Sequence, residues 1–129
     1  MSTVDLFALN TRVAHEVFNG WPPHKWREST SETICDYCGT ESWEVEANNP
    51  CTAWNPAGDI GQAWEIVERL RHLGYTVDLR NLGHDQPWYC FIRSAIGTYI
   101  GHMDTASAAI CEAVLRLKEG STPGWRLEW

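Results

Sequence analysis

The chain has 129 residues, of which 43% are hydrophobic and 21% charged, and this composition fits one globular domain and excludes a disordered or fibrous chain. Its 17 acidic and 10 basic residues give a net charge of −7, which argues against non-specific binding to nucleic acid phosphates. No apolar run approaches the roughly 20 residues that a membrane-spanning helix needs, and residues 1–20 carry no secretory pattern, so we expect a cytoplasmic protein.

The first predicted element is a helix over residues 3–18. Gly20 stands just past its end, and Trp21 followed by two prolines stops it. Four apolar residues recur at helical spacing and predict the face that turns to the core: Leu6, Leu9, Val13 and Val17.

An irregular segment is predicted over residues 22–57, with short strands around 24–27 and 41–45. From Glu28 to Asn48 it holds six acidic residues and no Lys or Arg. Such a run is typical of a solvated loop, but it also fits a surface that meets a basic partner or mimics nucleic acid charge.

A second helix is predicted over residues 58–73, with Asp59 at its positive end and Gly74 closing it. Its predicted buried stripe contains five residues: Ile60, Ala63, Trp64, Val67 and Leu70. Alternating residues over 75–81, followed by two further strands over 88–92 and 98–102, predict an antiparallel meander.

A third helix is predicted over residues 104–118, with Asp104 as the N-cap. Its inward-facing residues are predicted to be Ala106, Ile110, Ala113, Val114 and Leu117.

The order of these elements predicts an α+β fold, an α/β/α sandwich in which three helices pack on a small antiparallel sheet of about three to four strands. Residues 1–120 form the single domain, with 22–57 as its irregular insertion. Residues 121–129 form a tail with two tryptophans, which is either loose or folded back over the domain.

Three motifs resemble one family when they are taken together. They are VFNGW (Val17–Trp21), DIGQAWEIVERL (Asp59–Leu70) and DTASAAICEAVLRL (Asp104–Leu117). In this order and spacing they resemble the phage ABA-sandwich domain family over roughly residues 4–119. The resemblance implies an α/β/α sandwich and a bacteriophage or prophage origin. It implies no established activity and no catalytic residues.

A candidate metal site lies in the irregular segment. Cys35 and Cys38 form a Cys-x-x-Cys pair followed by glycine, and Cys51 and His24 could complete a Cys3His structural zinc site. Bound zinc would supply folding free energy to a segment with little regular structure. Ordinary reduced thiols and a redox pair are the alternatives.

A candidate ligand site lies on the meander. If Arg80 and Arg93 share one face, they could hold a phosphate or carboxylate, with Tyr99 or a tryptophan such as Trp88 stacking a base. Surface ion pairs are the alternative interpretation of the two arginines.

Catalysis has weaker support in the sequence. His84 and His102 could act as a base or ligand, but no nucleophile motif, His-Glu-x-x-His motif or glycine-rich phosphate loop accompanies them. Cys90 and Cys111 are predicted to be core residues. We therefore expect a binding protein and not an enzyme.

The expected function is that of a phage accessory protein in the host cell cytosol, acting in counter-defence by sequestering a nucleotide-type small ligand. One alternative is an inhibitor of a host protein that uses an acidic, Trp-rich surface around residues 26–54. Another is a zinc-stapled structural module of a phage assembly. The expected partner is a nucleotide-like small molecule or a host protein, with no direct nucleic acid and no membrane, and the chain could form a homo-oligomer.

Overall fold

A computed structural model describes residues 6–18, 20, 26–28, 33–35, 54–81, 83 and 85–128 of the chain. Among these residues no helix has the length and apolar character needed to span a bilayer. In chain order the elements are α1 (Leu6–Arg12), a π-helical turn (Val13–Val17), β1 (Trp26–Glu28), β2 (Thr33–Cys35), α2 (Ile60–His72), β3 (Thr76–Asn81), β4 (Trp88–Ser94), β5 (Gly97–Met103) and α3 (Ala106–Glu119).

The main sheet has three antiparallel strands with β4 in the centre and β3 and β5 at the edges. In its register Val77 pairs with Ile92, and Cys90 pairs with Gly101. Strands β1 and β2 form a separate antiparallel pair. The predicted meander and the α+β sandwich are confirmed. The strand predicted around 24–27 overlaps β1, whereas the one around 41–45 lies outside the described residues.

Helix α3 packs on one face of the main sheet and contributes most of the core. Ile110, Val114 and Leu117 are buried there, together with Cys90 and Ile92 of β4. The predicted inward face of α3 is confirmed for every residue except Ala106, which is half-buried. The predicted N-cap is wrong by one residue, because the hydroxyl of Thr105 accepts a hydrogen bond of 3.2 Å from the amide of Ala108.

The approach of α3 to the sheet depends on Gly101 in β5. A Cβ atom at this position would lie 3.0 Å from the Cα of Ala113, and closer still to the amide nitrogen of Ala113 and the carbonyl oxygen of Ala109. These are backbone atoms of α3, which cannot rotate away as a flexible side chain could. The helix therefore lies directly on the strand only because residue 101 has no side chain.

Helix α2 begins as predicted, since the carboxylate of Asp59 caps it by accepting a 3.1 Å hydrogen bond from the amide of Gln62. Its predicted buried stripe is only partly correct. Ala63, Val67 and Leu70 are buried together with Ile66, whereas Ile60 and Trp64 are 51% and 42% exposed. The buried face is therefore rotated toward Ile66, and Ile60 and Trp64 lie on the flank of the helix.

Helix α1 and its π-helical turn supply Val13 and Val17 to the core, as predicted, while Leu6 is exposed. Asn10 is one of the buried polar residues, and both ends of its amide are paired. Its Nδ2 donates to Oδ1 of Asn55 at 2.7 Å, and its Oδ1 accepts from the amide of Ala57 at 2.8 Å. These bonds join α1 to the chain just before α2.

The C-terminal tail is folded back over the domain. The amide of Leu127 donates a 2.8 Å hydrogen bond to the carbonyl of Val17, and the Leu127 side chain is 1% exposed. The ammonium of Lys118 donates to the carbonyl of Trp125, whose ring meets Tyr75 edge-on. The tail therefore connects the end of the π-helical turn with α3.

Substituting Gly101→Ala tests the contact between α3 and β5. We expect the free energy of unfolding to fall by about 3 kcal/mol, because the added methyl group meets helix backbone and forces the two elements apart. Gly97→Ala is the matched control in the same strand, since a Cβ there finds its nearest neighbour 3.8 Å away at Tyr99. Urea unfolding of both variants measures the difference, and equal stabilities would contradict the contact.

The buried thiols of Cys90 and Cys111 should make the protein less stable at alkaline pH. Burial, aided by the carboxylate of Asp78, raises the pKa of Cys90 from 9.0 to about 12, and burial also raises the pKa of Cys111. Above about pH 9 the unfolded chain releases these protons while the folded chain keeps them, so the free energy of unfolding falls as pH rises. Urea unfolding at pH 8 and 10 measures this fall. We expect it to be smaller in Cys90→Ala, and an unchanged fall would contradict the account.

Candidate functional site

The second face of the main sheet carries the candidate site, and we call it the open face. Because side chains alternate along a strand, the residues opposite to the core face form three rows across β3, β4 and β5. All of them are exposed or half-buried. The rows are Arg80, Tyr89 and His102; Asp78, Phe91 and Ile100; and Thr76, Arg93 and Thr98.

Phe91 lies at the centre of the open face with two guanidinium groups close to its ring. The Cζ of Arg80 is 5.4 Å from the centre of its ring, and the Cζ of Arg93 is 5.5 Å from it. Both distances are within the range of a cation–π interaction. Two positively charged guanidinium groups therefore lie close together around the Phe91 ring.

The two arginines differ in their ion pairing. Nη1 of Arg93 lies 2.7 Å from Oδ2 of Asp78, a partly exposed ion pair between neighbouring strands. Arg80 has no carboxylate partner among the described residues. An incoming anion can thus bind Arg80 without displacing a carboxylate already in place, and the three charged groups together leave this part of the face positive.

Two aromatic rings lie in a row along β4. The rings of Tyr89 and Phe91 are stacked, with centroids 6.3 Å apart and planes inclined by 23°. His102 meets Tyr89 edge-on with centroids 5.6 Å apart. We call Tyr89 and Phe91 together the two-ring shelf. Half-buried aromatic rings beside a guanidinium can stack a planar ligand through their accessible part while the guanidinium binds its anionic group.

The predicted ligand residues divide between the two faces of the sheet. Arg80 and Arg93 do share one face, which was the condition of the sequence interpretation. The expectation that Tyr99 or Trp88 joins them there is wrong. Tyr99 pairs with Ile92, and Trp88 pairs with Met103, so strand alternation turns both toward the core, and both pack against it.

Sequence reasoning missed Phe91 and Tyr89, although the signal was present. Both residues have the same strand parity as Arg93, and this parity alone places them on the arginine face.

Most residues of the predicted zinc site fall outside the described residues. Cys35 ends strand β2, whereas His24, Cys38 and Cys51 are not described. Within the described ranges no group of three or more His, Cys, Asp or Glu residues is arranged to hold a metal ion. Structural zinc therefore stays a prediction.

The remaining candidates from the sequence have separate places. His84 lies outside the described residues, while His102 is on the open face. Most of the acidic segment is also outside them. Trp54, at its end, is half-buried and meets Phe18 edge-on with ring centroids 6.0 Å apart. Trp54 therefore packs within the fold.

Fold and site together describe a small α+β sandwich with one face of its sheet covered by α3 and the other open and cationic. The chain matches the sequence profile of the phage ABA sandwich domain over residues 11–115, and it belongs to that family of phage proteins. Comparison with curated proteins gives no significant match.

Among solved structures the fold is similar to that of a phage protein from Bacillus cereus, seen in a 2.0 Å crystal structure. The TM-score is 0.53 and the sequence identity 17%, and the match covers 90% of this chain and 94% of that chain. At this identity the likeness concerns the fold alone. It agrees with the sandwich architecture and assigns no ligand.

Proposed function

We propose that this phage protein is a stoichiometric binder of a nucleotide-type small molecule, with the open face as its binding site. The observation that supports this most strongly is the position of Phe91, a half-buried ring close to both Arg80 and Arg93 on one face of the sheet. A nucleotide carries a base and a phosphate on its sugar, and this arrangement offers a partner to the base and to the phosphate.

The aromatic part of the ligand would lie on the two-ring shelf. Stacking of a base on an aromatic side chain contributes about 1–3 kcal/mol and tolerates any base, because every base has a π face. Arg80 would bind the phosphate, since its guanidinium is beside Phe91 and has no described carboxylate to compete with the ligand. Arg93, paired with Asp78, would add a second positive charge beside the same ring.

The charge distribution favours a small ligand over a long nucleic acid. The chain as a whole has a net charge of −7, so phosphates that extend beyond the open face would meet repulsion. A compact nucleotide places its charge only where the guanidinium groups lie. Sequestration of such a molecule would be a counter-defence role for an accessory protein of a phage.

The other two hypotheses depend on residues that are mostly not described. Inhibition of a host protein would use the acidic segment around residues 26–54, and a zinc-stapled assembly module would use the predicted zinc site. The support for the open face comes instead from its own contacts, which are the register of the strands and the short distances from Arg80 and Arg93 to Phe91.

Titration calorimetry with adenosine monophosphate tests the proposal. We expect binding by the natural protein, with affinity about tenfold lower in Arg80→Gln and about tenfold lower in Phe91→Leu, because each loses about 1.4 kcal/mol of phosphate contact or stacking. Binding should also weaken as salt concentration rises, since part of it is electrostatic.

Arg71→Gln is the matched control for charge. Arg71 is exposed on α2 and lies near Glu68, so its loss changes the net charge by the same amount as Arg80→Gln but leaves the open face intact. We expect its affinity to equal that of the natural protein. No binding, or equal weakening by Arg71→Gln and Arg80→Gln, would contradict the proposal.

A further inference from the structure

We propose that the two-ring shelf binds two linked nucleobases, so that the ligand class is a dinucleotide with a phosphodiester link rather than a mononucleotide. The inference rests on the proposed function of the open face and specifies its ligand. It is supported by three features: the spacing of the rings, the contacts that orient them and the position of Arg80 beside both.

The spacing of the rings follows from the strand. Tyr89 and Phe91 are two residues apart on β4, which separates their Cα atoms by about 7 Å along the surface. Their ring centroids are 6.3 Å apart and their planes are within 23° of each other. Two rings at this spacing form separate stacking positions, in the way that sheet aromatics of RNA-binding domains each take one base.

Both rings are oriented before a ligand arrives. His102 contacts Tyr89 edge-on from β5, with planes at 85°. Phe91 has the Cζ atoms of Arg80 and Arg93 at 5.4 and 5.5 Å from the centre of its ring. A ring that is already fixed loses little conformational freedom on binding, so each position can contribute its stacking energy to affinity.

Arg80 is placed to bind the group that joins the two bases. Its Cα pairs with that of Tyr89, while its guanidinium lies 5.4 Å from the centre of the Phe91 ring. The backbone of Arg80 therefore lies beside Tyr89, and its guanidinium lies beside the ring of Phe91. A phosphodiester has one negative charge, and Arg80 is the guanidinium of this face that has no carboxylate partner among the described residues.

Two bases joined by a phosphodiester occur both in a free dinucleotide and within a single strand of nucleic acid. The shelf has two ring positions, and the acidic chain around it disfavours further phosphates. A free dinucleotide is therefore the expected source.

The test compares adenosine monophosphate, the linear dinucleotide adenylyl-adenosine and a longer oligoadenylate by titration calorimetry. The dinucleotide has less negative charge than the monophosphate, so a gain in its affinity cannot come from charge. We expect it to bind the natural protein about tenfold more tightly, which is the gain from one additional stacked base. The longer oligomer should bind no more tightly per site than the dinucleotide.

Tyr89→Leu is the decisive variant, and Ile100→Val is its control on the same face but off the shelf. In Tyr89→Leu we expect the dinucleotide to lose its tenfold advantage while the monophosphate keeps its affinity within about threefold. Ile100→Val should keep the advantage. Thermal unfolding of each variant checks that the sheet is intact.

The outcomes separate this inference from the proposed function. If the dinucleotide binds no more tightly than the monophosphate, or keeps its advantage in Tyr89→Leu, the two-base assignment is overturned while the open face remains a nucleotide site. If neither compound binds, both the inference and the proposed function fail. A further gain with the longer oligomer would identify a single strand as the source and keep the two base positions.

Discussion

The contact of helix α3 with Gly101 determines which face of the sheet becomes the core. Because residue 101 has no side chain, the backbone of α3 at Ala109 and Ala113 can lie directly on β5. The apolar side of the helix then covers Cys90 and Ile92 of β4, which are buried completely. Side chains alternate along each strand. The packing of α3 on this face therefore leaves the charged residues of the sheet on the opposite face, away from the core.

The open face is a consequence of that burial. Arg80 and Arg93 would be costly to bury, and on the uncovered side they retain water while sharing the ring of Phe91. Asp78 offsets part of their mutual repulsion by pairing with Arg93. What remains is an aromatic and cationic surface on an otherwise acidic protein, and the ligand that we propose, a small anion with a planar ring, would complement it.

Helical periodicity and alternation along the chain predicted the three helices, the meander and the sandwich, because these patterns reflect burial directly. They predicted the flank of α2 less well. Trp64 belongs to the apolar stripe by spacing, yet it is 42% exposed because Ile66 takes the place against the core. The candidate site was harder to predict. The two arginines share a face, as the sequence interpretation required, but Tyr99 and Trp88 lie on the other face, and Phe91, which the sequence analysis did not name, lies beside the arginines.

The central claim is that ligand binds the open face and not the helical side, and chemical-shift mapping with isotope-labelled protein and adenosine monophosphate tests it most directly. We expect the largest shifts at the side-chain resonances of Arg80, Arg93 and Phe91, with neighbouring amides of β3, β4 and β5 following. Resonances of α2, including the exposed indole of Trp64, should stay unchanged. Shifts centred on α2 or on the C-terminal tail, with the open face unaffected, would contradict the account.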